Sequence, residues 1–293
     1  MLIASFLDYI RYERNGSECT VLAYGEDLAQ FRAFVEGECG SFEPSQVKAA
    51  QVREWMMRLM DEGISPASVN RKLSALRSFY KFLLRKQLVA VDPLLKVEGP
   101  KKKKPLPVFL RESEMDKVLD EDDYAPGFPG LRDRLILLMF YTTGMRRSEL
   151  IGLQMADVDL SAGLVKVTGK RNKQRLIPFG EELSGELRKY IDRRRETVGE
   201  GTTAFFVKDD GSPVTASYVY NMVKQRLGRV VTHKKRSPHV LRHTFATNML
   251  NHEAQLVAVK DLLGHASLAT TQVYTHTTFE ELKKVYEQAH PRA

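Results

Sequence analysis

The chain has 293 residues, with 45 Lys and Arg against 37 Asp and Glu, a net charge of +8 and a pI near 9.3. Its 43% hydrophobic and 28% charged content is that of a folded globular protein, and the length predicts two domains. The longest unbroken apolar run, the seven residues from Leu135 to Tyr141, excludes a membrane span, the stretch to Asp8 lacks a secretion signal's basic start, and the only cysteines, Cys19 and Cys39, exclude a disulfide framework and fit a reducing cytosol.

Residues 1–96 read as an all-helical domain. Leu22, Leu28, Phe31, Phe34 and Val35 keep helical spacing after Thr20, the expected N-cap. A second helix is predicted over Val47 to Met60, with Gly63 as left-handed cap, and a third begins at Ser65-Pro66. On the third, Leu73, Leu76, Tyr80 and Leu83 form an apolar stripe beside Arg77, Lys81 and Arg85. Between Glu62 and Asp92 there is no acid but six bases, the other three being Arg71, Lys72 and Lys86. Such a stripe is either a solvated helix face or a surface turned toward a polyanion.

Residues 97–107, with three prolines and the run Lys101 to Lys104, read as an extended basic linker. Residues 1–100 hold 13 basic and 13 acidic side chains, so the whole +8 lies in residues 101–293, with 32 and 24. The second domain, 108–293, opens with an apolar helix from Leu131 to Thr143 that ends at Gly144, then a short helix over Ser148 to Leu153. Alternating runs at 163–168 and 174–179 flank Gly169-Lys-Arg-Asn-Lys173 and predict a hairpin with a basic turn. Ala204 to Val207 reads as a strand, and helices are predicted over 181–195, 215–229, 238–250, 255–263, 267–274 and 279–288. The fold class is mainly α with a small β-sheet (α+β). No Gly-rich nucleotide loop occurs.

Four places concentrate polar residues against apolar helices: Arg146 after Gly144, Lys170 in the hairpin turn, His239 with Arg242 and His243, and His265 with Tyr274 nine residues on. Each alone reads equally as ordinary surface or half-buried core. His239 and His243 share a helix face, but no acid accompanies them and Lys234, Lys235, Arg236 and Arg242 crowd them with positive charge, so no metal is expected. The same charge suits a phosphodiester, whose oxygens two arginine forks can hold. A tyrosine hydroxyl, with a reference pKa of about 10, needs a proton acceptor to attack, a histidine can supply one, and a lysine can protonate a departing alkoxide. That inventory is complete for covalent phosphoryl transfer.

The residues also resemble a known family. Thr143-Gly-Met-Arg-Arg-Ser-Glu-Leu-Ile-Gly-Leu153, Thr168-Gly-Lys-Arg-Asn-Lys-Gln-Arg-Leu-Ile-Pro178, Ser237-Pro-His-Val-Leu-Arg-His-Thr-Phe-Ala-Thr247, Leu262-Leu-Gly-His-Ala-Ser-Leu-Ala-Thr-Thr-Gln-Val-Tyr-Thr-His276 and the tail His290-Pro-Arg-Ala293 are similar, in order and spacing, to tyrosine recombinases of the phage integrase family, Xer type. The resemblance implies an N-terminal helical core-binding (SAM-like) domain and a C-terminal catalytic domain closing around duplex DNA. It implies Arg146 and Arg242 on the scissile phosphate, Lys170 as acid toward the 5′-oxygen with Lys173 as the alternative, His239 in proton transfer, His265 on the phosphate, and Tyr274 as nucleophile. It further implies no cofactor, a homo- or hetero-tetramer on two DNA sites with a second recombinase, the last helix docked into a neighbouring protomer through Phe279, Leu282, Val285 and Tyr286, an FtsK-type translocase as candidate activator, and a role in resolving chromosome dimers. A mobile-element integrase and a catalytically silent DNA-binding relative are the alternatives. Arg71, Arg77, Lys81, Arg85 and Lys173 are the candidate DNA contacts. This sequence departs from the common turn Gly-Lys-Gly-x-Lys-Glu-Arg at Arg171 and Gln174, and Asn172 tolerates the left-handed backbone that keeps the hairpin possible.

Overall fold

The computed structural model describes residues 1–101, 108–120, 122, 124–169, 172–232, 235–264 and 279–293, the side chains of 279 and 280 excepted. The chain forms two compact units, Met1–Pro105 and Leu106–Ala293. No helix among the described residues is long and apolar enough to cross a membrane.

The first unit contains α1 (Leu2–Asp8, prolonged by a wider turn to Glu13), α2 (Glu18–Cys39), α3 (Ala49–Asp61) and α4 (Pro66–Arg85). Phe6, Leu28, Phe31, Trp55, Leu76 and Phe79 meet in its core. The start of α4 follows from its sequence: Pro66 takes the first turn, and Ser65 Oγ accepts from the Ser68 N–H at 3.2 Å. The cap of α2 differs from expectation. Ser17, not Thr20, is the N-cap, its Oγ accepting from the Thr20 N–H, and the helix begins nearly a turn earlier. With that frame Val21 enters the core and Leu22 is 63% exposed.

Four of the basic side chains of the predicted stripe are engaged within the unit. Arg71 and Lys72 both hold the buried Asp27, Arg71 Nη2 at 2.9 Å and Lys72 Nζ at 3.0 Å. Arg77 donates to the Val97 carbonyl at 2.7 Å. Arg85 lies 4.4 Å over the Tyr9 ring and pairs with Glu13, whereas Lys81 is exposed. The expected linker also begins later than 97: Val97 is buried in this core, and Asn70 Nδ2 donates to the Pro100 carbonyl at 2.8 Å. Residues 102–107 lie outside the described residues.

The second unit contains α5 (Glu112–Leu119), α6 (Phe128–Thr143), α7 (Arg147–Ile151), β1 (Val158–Asp159), β2 (Leu164–Thr168), β3 (Gln174–Pro178), α8 (Glu181–Val198), α9 (Ala216–Val230), α10 (Pro238–Asn251), α11 (Leu256–Leu263) and α12 (Phe279–Ala289). The strands form an antiparallel sheet in the order β1-β2-β3, with Val165 opposite Ile177 and Thr168 opposite Gln174. Leu135 to Phe140 of α6 are all buried, so this helix runs through the core instead of lying on it, as its unbroken apolar run requires. Ala204 to Val207 is not a strand: it makes only two isolated bridges, Gln154 with Ala204 and Val207 with Pro213. The run is apolar because Phe205, Phe206 and Val207 are core. The predicted helix over 267–274 lies outside the described residues.

In this single chain the C-terminal helix packs on its own unit. Tyr286 of α12 is fully buried in its own unit among Phe245, Met249, Leu262 and Leu263, with Leu282 and Val285 packed beside it. In this structure the helix docks in cis. Behind it His290, 5% exposed, stacks on Tyr286 and meets the rings of Tyr141 and Phe245. Its Nε2 donates to the Tyr141 carbonyl at 3.3 Å while Nδ1 accepts from the Arg292 N–H at 3.1 Å, an arrangement that suits only the neutral ring. Burial pushes its pKa down to about 4. The unfolded chain takes up this proton near pH 6.5 and the native state resists, so stability is full above about 6.5 and falls as pH drops toward 4, by about 3 kcal/mol. Chemical denaturation of His290→Gln should show a flatter pH dependence in that window, and a slope equal to that of the unmutated protein would contradict the assignment.

Candidate active site

The site is built around two left-handed glycines. Gly144 ends α6 at φ +59°, and a Cβ there would stand 2.5 Å from Phe245 Cδ1. Gly264 ends α11 at φ +64°, with a Cβ position 3.1 Å from Arg175 Cδ. Only glycine fits such backbone at such close range.

Directly after Gly144-Met145 the chain enters α7 with Arg146 as N-cap, and Glu149, three residues on, accepts the Arg146 N–H at 2.7 Å. Arg146 Nη1 donates to Glu149 Oε1 at 2.7 Å and Nη2 to the Gly264 carbonyl at 3.1 Å. Arg242, on α10 and 9% exposed, donates from Nη1 to the Gly144 carbonyl at 2.7 Å and from Nη2 to the Leu263 carbonyl at 2.6 Å. The ends of α6 and α11 thus present their unpaired carbonyls to the two guanidiniums and fix their planes. Each commits two of its five N–H donors in these bonds, which leaves donors for an incoming anion.

Arg175, projecting from β3, completes the cluster with a two-bonded pair to Glu149, Nη1 to Oε1 at 2.8 Å and Nη2 to Oε2 at 2.9 Å. Three guanidiniums against one buried carboxylate leave the group positively charged. Burial would raise the pKa of Glu149, but bonds from Arg175 and Arg146 outweigh it and hold the carboxyl below its usual range. Burial, followed by repulsion from Arg146 and Arg175, pushes Arg242 down to about 10. It stays charged at neutral pH, and an anion placed here relieves that repulsion.

His239, one turn ahead of Arg242 on α10, is exposed, yet desolvation of its ring and the charges of His243, Arg147, Arg242 and Arg146 lower its pKa. It is therefore neutral, and able to accept a proton, over a wider pH range than a free imidazole. Lys173 is exposed in the hairpin, its carbonyl closing the turn by accepting from the Gly169 N–H at 2.8 Å. Asn172 has φ +57°, the left-handed backbone the turn needs. Lys170, His265 and Tyr274 lie outside the described residues. The structure therefore brings Arg146 and Arg242 together and sets His239 on the same helix as Arg242. It adds two residues that sequence reasoning passed over, Glu149 and Arg175. An Arg-x-x-Glu capping pattern signalled the first, and the closing Arg of the family turn fell on the second.

The model of the phage integrase family matches residues 108–281, and that of the phage integrase N-terminal SAM-like domain matches residues 3–87. A tyrosine recombinase XerC of Chlorobaculum tepidum is 41% identical, across 99% of this chain and 94% of its own length. A tyrosine recombinase XerD of Staphylococcus haemolyticus is 37% identical, across 100% and 99%. The crystal structure of the XerH site-specific recombinase bound to its difH substrate shares the fold, with a TM-score of 0.70 at 23% identity over 96% of this chain and 83% of that one.

Proposed function

The chain belongs to the phage integrase family, as a tyrosine recombinase that exchanges DNA strands, and on that premise we propose that Arg146 and Arg242 hold the scissile phosphate while Tyr274 attacks it, in the service of chromosome-dimer resolution at cell division. The observation that carries the reading is the pair of arginines fixed on the carbonyls of Gly144, Leu263 and Gly264, at the point where α11 passes into the segment bearing His265 and Tyr274.

The chemistry balances without an external energy source. The Tyr274 oxygen bonds to phosphorus as the bond to the 5′-oxygen breaks; the phenolic proton passes toward His239, and Lys170 protonates the departing 5′-oxygen. The phosphodiester becomes a 3′-phosphotyrosyl ester of similar energy, so the reverse attack by a 5′-hydroxyl rejoins a strand. Charge that builds on the non-bridging oxygens is met by guanidiniums whose planes are set in advance. A full exchange cuts four strands, which requires four protomers on two duplex sites. The Tn1549 transposon integrase, whose fold this chain shares, was captured in complex with transposon right end DNA, which supports DNA as the partner here.

The test is to incubate the protein with fragmented DNA of its host, denature, and sequence the fragments left attached. One short site found once per chromosome is expected, and Tyr274→Phe should leave no attached DNA. Adducts at the ends of mobile elements would replace the chromosomal role with an integrase role. Attachment that persists in Tyr274→Phe would overturn the nucleophile, and no attachment by the unmutated protein would favour a silent DNA-binding relative.

A further inference from the structure

With Arg146 and Arg242 assigned to phosphate, Glu149 and Arg175 remain without a role. The Glu149 carboxylate is fully buried and fully used: Oε1 accepts from Arg146 Nη1 and Arg175 Nη1, and Oε2 from the Arg146 N–H and Arg175 Nη2. Arg175 spends its remaining fork edge elsewhere, Nε donating to the Leu262 carbonyl at 2.8 Å. Three consecutive carbonyls at the end of α11, those of Leu262, Leu263 and Gly264, thus each accept from a different arginine: Arg175, Arg242 and Arg146. A helix C-terminus carries unpaired carbonyls and partial negative charge, and guanidiniums satisfy both. The packing is tight on either side: a Cβ at Gly264 would stand 3.1 Å from Arg175 Cδ, and one at Gly169, the residue before Lys170, 3.2 Å from Glu149 Oε1.

We infer that Arg175 is a positioning residue for strand cleavage: it locks the end of α11 to Glu149 and so sets the Arg146 guanidinium, without touching the phosphate itself. The inference rests on the reading of Arg146 as a phosphate ligand. No other side chain in the cluster joins β3, α7 and α11 at once. A lysine in its place keeps the charge but lacks the planar fork needed to meet both Glu149 oxygens and the Leu262 carbonyl.

The experiment uses the full chain and a nicked duplex bearing the sequence recovered from adducts of the unmutated protein. One version has an ordinary scissile phosphate; the other has a methylphosphonate there, which removes one charged oxygen. Arg175→Lys should bind the ordinary duplex with unchanged Kd, yet form adduct about 10²-fold more slowly, the cost of displacing a group by about 1 Å. On the methylphosphonate the gap between variant and unmutated protein should narrow, because less remains for Arg146 to hold. Adding Glu149→Gln to Arg175→Lys should cost no more than about 3-fold further, since both break one link. Should Arg175→Lys fail to fold, Glu149→Gln alone is expected to show the same substrate split. A rate equal to the unmutated protein's, a deficit of the same size on both duplexes, or a loss explained by weaker binding would each overturn the inference. Failure of the unmutated protein to form adduct would instead sink the phosphate reading, and the inference with it.

Discussion

Arg242→Ala is expected to lower the rate of covalent DNA attachment by about 10³-fold or more, the scale seen when an arginine is taken from a phosphoryl group in flight. Two losses combine. On the proposed reading the variant lacks one of two forks on the non-bridging oxygens, and it also strips two carbonyls, Gly144 and Leu263, of their buried donor. The second loss should appear as about 2 kcal/mol of stability. Arg146→Ala separates the two effects. Its side chain is 34% exposed and its Glu149 partner keeps the two-bonded pair with Arg175, so it should lose rate on the same scale with a smaller fall in thermal midpoint. Single-turnover cleavage of a nicked duplex, alongside thermal melts, reads both quantities. If Arg242→Ala cleaved within tenfold of the unmutated rate, the phosphate assignment could not stand.

Gly144→Ala is expected to cost substantial stability through a single methyl group. A side chain at φ +59° costs about 1–2 kcal/mol in backbone strain. The new Cβ would also stand 2.5 Å from Phe245 Cδ1 and 2.9 Å from Leu263 Cδ2, in a core with no slack, for about 1–3 kcal/mol more. A total of about 2–5 kcal/mol corresponds to a fall of about 5–15 °C in the melting midpoint of a unit this size. Activity should fall further than stability, since the Gly144 carbonyl anchors Arg242 and the turn it makes launches Arg146. Gly185→Ala in α8 is the control: a Cβ there meets nothing within 4 Å, and removing glycine from a helix is neutral or stabilising. A Gly144→Ala protein that melts with the unmutated one would show that the α6–α7 turn can relax in a way this packing does not allow.

Much of the fold was legible because it is local. The apolar run 135–141 announced a core helix, Ser65-Pro66 announced the start of α4, and alternating residues either side of Gly169 announced the hairpin. Local signals also misled where tertiary packing chose among them. Ser17 and Thr20 are both competent caps, and the helix starts at Ser17; Leu22, half a turn in phase from Phe31, faces outward. Phe205-Phe206-Val207 has the composition of a strand, but its side chains fill a core with no partner strand alongside. The short helix α5 escaped notice because Met115, Val118 and Leu119 are too few to set a period.

The sequence by itself determined the inventory: two domains, an excess of base placed entirely after residue 100, and arginines, histidines, a lysine and a tyrosine whose order resembles that of the family's phosphoryl-transfer residues. Tertiary structure alone decided which groups hold which. Arg175 meets Glu149 across 26 residues and Leu262 across 87, Arg146 meets Gly264 across 118, and the C-terminal helix seats Tyr286 in its own unit. Periodicity reports only on neighbours within a few turns, whereas a buried carboxylate or an unpaired helix carbonyl takes whatever donor the packing of distant elements delivers to it.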